Sequence, residues 1–142
     1  MKVRTRRILL IAGGLWLILM AYSYPNLREG FREKKSLERT FDHYADALVQ
    51  KRYDEAYAQC GSEYRHVMDY EPFVVGYRSL EQQYGPLKSY KRDGFYFRGE
   101  GTPAIWKAAI VARFFYEKKT VTFDFVLHKE GDRWVFFRID QE

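Results

Sequence analysis

The sequence predicts an α+β fold: three N-terminal helices packed on a curved four-stranded antiparallel sheet, preceded by one transmembrane helix. Three observations predict it. Residues 8–27 carry no charge and lie between two basic flanks. Residues 37–84 repeat apolar side chains at helical spacing. Residues 87–142 carry long apolar and aromatic runs broken by short polar gaps, the pattern of strands and hairpins.

The chain of 142 residues holds 24 Lys and Arg against 19 Asp and Glu, a formal charge of +5. That excess is local. Residues 1–35 contain 8 of the basic residues and 2 of the acidic ones, which leaves 16 basic against 17 acidic in residues 36–142. A nucleic-acid partner would need a basic stripe on the folded part, so none is expected. A basic arm of this kind meets lipid head groups instead. The expected organisation is a basic tail at 1–7, a membrane anchor at 8–25, a charged linker at 26–35 and a folded domain at 36–142.

Lys2, Arg4, Arg6 and Arg7 precede the uncharged run, and the next charge is Arg28. Twenty residues of helix span roughly 30 Å, about one hydrocarbon thickness. Ala21-Tyr22-Ser23 before Tyr24-Pro25 also fits a cleavable signal peptide. Bulky Trp16 and the tyrosine-rich exit favour an uncleaved anchor with an interfacial aromatic belt. A short basic tail favours the cytoplasmic side, which puts the domain outside the cytoplasm, in a periplasm or at a cell surface. Arg28, Arg32, Lys34 and Lys35 on the other flank leave the reverse orientation open. The linker is too short to carry the domain far from the bilayer.

Ser36 is a fitting cap for the first helix, and Leu37, Phe41, Tyr44, Ala45, Leu48 and Val49 form its apolar face. Tyr53, Ala56, Tyr57 and Cys60 give a second, short helix an inward side, ended by Gly61. Ser62–Met68 reads as a turn. Asp69 caps a third helix, Pro72 suits its first turn, and Phe73, Tyr77, Leu80 and Tyr84 form its stripe. Gly85-Pro86 stops it. Leu87–Arg98 is a strand with a break at Asp93-Gly94, and Gly99–Pro103 is a loop.

Ala104–Glu142 reads as a three-stranded meander. A two-residue loop at Lys118-Lys119 pairs Phe114 with Phe123, Ala112 with Phe125 and Ile110 with Leu127. A three-residue loop at Glu130–Asp132 pairs Leu127 with Val135, Phe125 with Phe137 and Phe123 with Ile139. Both registers gather one uniformly apolar face. The other face is mixed and places Asp124 opposite Arg113 and Arg138, a cross-strand ion-pair row.

These faces limit the chemistry. The cavity side of the last three strands contains neither acid nor His, so no catalytic residue is expected. Tyr44, Tyr57, Tyr77 and Tyr84 are the candidates for a tyrosine-rich ligand pocket between helices and sheet. Val111, Phe115, Val126, Trp134 and Phe136 form a patch on the outer face that a second copy or another envelope protein could cover. A tail, a loop or arginine stems could shield it as well. Cys60, the one cysteine, excludes an internal disulfide and a cysteine-based zinc cage, and it reads as a small buried hydrophobe. His43, His66 and His128 lack metal-ligand spacing, and no phosphate-cradling loop is present. No cofactor is expected.

The order of elements, with Phe41-xxx-Ala45-xx-Leu48, Tyr53-xx-Ala56-Tyr57, Phe73, Tyr84-Gly85-Pro86 and Gly131-Asp132-Arg133-Trp134, resembles the nuclear transport factor 2-like (cystatin-like cone) superfamily. It is most similar to small membrane-anchored bacterial members, over roughly residues 36–140. The resemblance implies a cavity between helices and sheet, in which enzymatic members keep an Asp or an Asp/His or Tyr group. It also implies that association through the sheet is common, as in the anchored scaffold subunits of type IV secretion machines. Fold alone does not fix activity. The expectation is a membrane-anchored, non-catalytic interaction domain associating through its sheet face. A small-molecule carrier is the alternative, and a hydrolase or isomerase the least favoured.

Overall fold

The computed structural model describes residue 18 and residues 28–100 and 105–142. The expected anchor at 8–25 lies outside the described residues apart from Ile18. Among the described residues no helix is long and apolar enough to cross a membrane. The chain divides into two compact units, Met1–Lys35 and Ser36–Glu142. In the first, residues 28–35 are helical where a linker is expected. Arg, Glu and Lys are good helix formers and no proline interrupts them.

The second unit is α+β. Helix α1 (residues 36–49) is followed by α2 (Tyr53–Ala58), α3 (Ser62–Val67) and α4 (Tyr70–Tyr84). Strands β1 (Leu87–Glu100), β2 (Ile105–Tyr116), β3 (Thr120–Glu130) and β4 (Arg133–Gln141) pair antiparallel in sequence order. Ser36 lies within helical backbone rather than capping it, and its carbonyl accepts the Thr40 hydroxyl at 3.2 Å. Leu37, Phe41, Tyr44, Ala45 and Leu48 are buried, so the apolar stripe of α1 faces the sheet as its spacing predicts. Just past the helix Lys51 has a left-handed φ of 58°, and the next amide, Arg52 N–H, reaches back to the Ala47 carbonyl at 2.8 Å.

Helix α3 replaces the expected turn. Only Tyr64 is buried in it, so its six residues carry no periodic signal. The stretch before it is also more structured than expected. Gly61 N–H donates to the Phe136 carbonyl at 2.9 Å, and Phe136 N–H donates to the Gln59 carbonyl at 3.0 Å. This parallel bridge covers the outer edge of β4 at Phe136.

The sheet register corrects two expectations. Between β2 and β3 the partners are Phe114 with Val121, Ala112 with Phe123, Ile110 with Phe125 and Ala108 with Leu127. The turn falls one residue earlier than expected, at Glu117-Lys118, where the Tyr116 amide donates to the Lys119 carbonyl at 2.9 Å. A shift of two leaves every side chain on its predicted face. Between β3 and β4 the change has more effect. Glu130 pairs with Arg133 and Leu127 with Phe136, then the register shifts so that Val126 pairs with Arg138 and Phe125 with Ile139. Phe137 is the extra residue of this bulge. Before it Trp134 and Phe136 point inward, and after it Ile139 does.

Candidate functional site

The apolar stripe of α4 builds one wall of a cleft. Phe73, Gly76, Tyr77 and Leu80 recur at i, i+3, i+4 and i+7 and line it. Tyr64 and Met68 close it from the α3 side, while Phe123, Ile139 and Gln141 form its floor. Its volume is about 400 Å³. Gly76 contributes open space, because a Cβ built there would meet no heavy atom within 4 Å. Pro72, Ser79 and Gln83 complete the lining, which includes no carboxylate, imidazole or thiol.

Beside this cleft lies the closest polar contact in the core. The Tyr44 and Tyr77 hydroxyls meet at 2.6 Å and join α1 to α4. The Tyr44 ring lies 4.2 Å from Phe136 and edge-on to Phe125 at 5.9 Å. Burial, then neighbouring Tyr77, pushes the Tyr44 phenol well above its usual range. Burial does the same to Tyr77, with the Tyr44 hydrogen bond pulling the other way. Both stay protonated at any ordinary pH. Cys60 sits near this group, and burial pushes its thiol up to about 12.

The four predicted pocket tyrosines therefore divide. Tyr77 lines the cleft and Tyr44 backs it. Tyr57 donates its hydroxyl to the Met68 carbonyl at 2.8 Å and packs its ring 5.3 Å from Phe73, which fixes the exit of α3. Tyr84 stands at the end of α4, with Lys119 Nζ 4.8 Å above its ring and Tyr116 at 6.3 Å. Neither Tyr57 nor Tyr84 is among the lining residues. Tyr64, Gly76 and Gln141 were not singled out from sequence, whereas Phe123 and Ile139 were placed on the apolar sheet face. Leu80 was, as part of the α4 stripe.

The predicted outer patch is smaller than expected. Trp134 is 1% exposed and packs its ring 5.8 Å from Phe97, so it belongs to the core. Phe136 is fully buried between Tyr44 and Phe125. The shorter turn is the reason for both: Glu130 pairs with Arg133, so Gly131-Asp132 replaces the expected three-residue loop and moves Trp134 and Phe136 to the inner face, and the bulge at Phe137 restores the expected phase at Ile139. Val111 remains 37% exposed, and Phe115 and Val126 are half-buried.

The expected ion-pair row is also rearranged. Asp124 lies across from Val111 and Asp140. Arg113 instead grips Asp93 on β1 through two nitrogens, one of them at 2.8 Å, and this hydrogen bonding holds the Asp93 carboxyl below its usual range. Arg138 pairs with Asp140 at 2.6 Å. A second, more polar cleft of about 490 Å³ runs along Lys51, Tyr53, Arg78, Glu81, Gln82 and Pro86. There Glu81 accepts the Leu87 amide at 3.1 Å and faces Lys51 Nζ at 3.4 Å. Its carboxylate thus closes the α4–β1 turn. Among the described residues no three His, Cys, Asp or Glu side chains gather as metal ligands would.

No protein-family model matches the sequence, and no curated protein does. Solved structures share the fold. One is the Bdellovibrio bacteriovorus protein Bd1075, with a TM-score of 0.57 and 12% identity, covering 78% of this chain. The match takes in 40% of the Bdellovibrio chain, so this chain spans well under half of that protein's length. Another is a structure from Catenulispora acidiphila, with a TM-score of 0.55 and 12% identity, covering 78% of this chain and 91% of its own. Likeness at this identity concerns the fold alone.

Proposed function

We propose that the folded unit is a non-catalytic ligand-binding domain of the nuclear transport factor 2-like kind, held at a membrane by residues 8–25. Its three helices and the added short α3 make a cavity with the sheet that takes a small, largely apolar molecule. The single observation that carries this reading is the cleft between α3, α4 and the ends of β3 and β4, about 400 Å³ in volume. Apolar clefts of this size with a few polar groups are the usual form of small-molecule sites. A lining without acid, imidazole or thiol argues for binding rather than proton transfer. The tether rests on the uncharged run between basic flanks, and the short basic tail supports a domain on the extracytoplasmic side.

Gly76→Leu tests the reading, because the new side chain enters open space. The neutral fluorophore N-phenyl-1-naphthylamine should bind the full chain saturably, and Gly76→Leu should weaken it at least tenfold. Stability should hold or rise, since replacing a helix glycine gains up to about 1 kcal/mol in propensity. Equal binding by both proteins in the same amphipol rules out this cleft as the site.

The sheet face supports a second reading, self-association or docking of another envelope protein. Tyr96 at 55% and Val111 at 37% exposure are on adjacent rows of that face. Val111→Arg should then lower the sedimenting mass of the full chain, and an unchanged mass removes this reading.

A further inference from the structure

The ligand class can be narrowed by counting hydroxyl protons, an inference that rests on the cleft being a binding site. A tyrosine hydroxyl donates one proton and accepts one or two. Tyr44 and Tyr77 bond only each other among the described residues, so one of their two protons has no acceptor. Which proton is left over is decided by cost. If Tyr77 donated, the spare proton would sit on Tyr44, which is fully buried and outside the cleft lining. Stranding a donor there costs about 1–3 kcal/mol. If Tyr44 donates, the spare proton belongs to Tyr77, a residue that lines the cleft. Tyr64 adds a second phenol to the same wall. Its ring is edge-on to Phe73 at 6.5 Å, and its hydroxyl makes no hydrogen bond among the described residues.

The cleft thus joins an apolar wall to two tyrosines, Tyr77 and Tyr64, each with a phenol proton that no described residue accepts. The residues that line it include no Lys, Arg or His. A carboxylate or phosphate entering it would lose its hydration without a countercharge. A hydrocarbon would leave both donors unmet. We infer that the site takes a neutral, mainly apolar molecule that presents a carbonyl oxygen to the hydroxyls of Tyr77 and Tyr64.

Three probes of one shape test this: 2-acetylnaphthalene, a neutral ketone; 2-ethylnaphthalene, its hydrocarbon counterpart; and 2-naphthoate, the anion. Equilibrium dialysis of the full chain gives each dissociation constant from free ligand. The ketone should bind at least tenfold more tightly than the hydrocarbon, about 1.4 kcal/mol, and more tightly than the anion. Tyr77→Phe and Tyr64→Phe should each reduce that preference at least threefold, whereas Tyr44→Phe, which leaves the Tyr77 proton in place, should keep it within twofold. If Tyr77→Phe does not fold, the wild-type ratio and Tyr64→Phe decide. Equal ketone and hydrocarbon binding, both lost in Gly76→Leu, overturns the carbonyl inference and leaves the cleft as a binding site. Tightest binding of the anion overturns it also. Failure of all three probes to bind overturns the inference together with the cleft reading.

Discussion

Gly61 sits where residues 59–61 bridge to β4, and it has no room for a side chain. An added Cβ would stand 2.7 Å from Val135 Cγ2 and 2.8 Å from Glu130 Oε1. Carbon atoms in contact prefer about 3.5–4.0 Å. In Gly61→Ala, therefore, either Val135 is forced off its rotamer or the bridge lifts from β4. Overpacking of this kind costs about 1–3 kcal/mol. Lifting the bridge also loosens the two backbone hydrogen bonds to Phe136, each contributing about 1 kcal/mol. The expected loss is on the order of 2–4 kcal/mol. For a domain of this size, that lowers Tm by roughly 10–20 °C. Calorimetry and urea unfolding measure both quantities. Val135→Ala removes the colliding methyl and should itself cost about 1–2 kcal/mol. The double variant should then be less destabilised than the two single effects summed, by at least about 1 kcal/mol. A Gly61→Ala protein within about 0.5 kcal/mol of wild type, or strict additivity in the cycle, would refute the reasoning.

Three other outcomes are expected. Tyr116 has a buried hydroxyl without a hydrogen-bond partner among the described residues, so Tyr116→Phe should stabilise the fold by about 1 kcal/mol in urea unfolding; a loss of stability would show that the hydroxyl is satisfied in solution. The Ser62 hydroxyl and amide hydrogen bonds lower the Glu130 carboxyl from its ordinary 4.5, so its contribution is present above that pH and fades as pH falls through the lowered value. Glu130→Gln should accordingly flatten the acid limb of the stability curve, and an unchanged limb contradicts the assignment. Burial raises the Cys60 thiol from 9.0 to about 12, so native protein should resist iodoacetamide at pH 8 and react only as it unfolds. The same shift adds stability that is complete below pH 9 and is lost as pH climbs toward 12.

The α1 face was readable because Leu37, Phe41, Tyr44, Ala45 and Leu48 repeat over three turns, enough to fix a direction. The β2–β3 faces were readable for a related reason. Displacing the loop by one residue shifts the register by two, which changes partners but not sides. The β4 register was not. Trp134-Val135-Phe136-Phe137 is apolar throughout, so no alternation marks which residue faces in, and a bulge leaves no composition signal. One misplaced residue there moved Trp134 and Phe136 from the core to the surface in the sequence reading and turned core residues into an apparent patch. The cleft was half legible. Phe73, Tyr77 and Leu80 follow from the α4 stripe, but Tyr64 stands in a helix too short to show a period. Phe123 and Ile139 follow from the apolar sheet face, whereas Gln141 is polar and carries no such signal. Gly76 reads as a weak helix position until its surroundings are known.

The bridge at residues 59–61 leaves the two edges of the sheet unequal. β4 is bridged at its middle, at Phe136, whereas β1 has no strand beside its outer edge among the described residues. An open edge is a template for pairing with another chain. β1 is guarded differently, by register shifts between Leu87 and Ser89 and between Arg92 and Gly94, with Lys88, Lys91, Arg92 and Asp93 in and around them. Such interruptions and charges discourage a neighbouring strand from docking in register. The two guards fail under different conditions. Those of β1 are built into its own sequence and persist in a partly unfolded chain. The β4 guard is lost as soon as the short α2–α3 segment detaches. Aggregation during refolding or heat stress is therefore expected to start from β4, the edge that the native protein protects more fully.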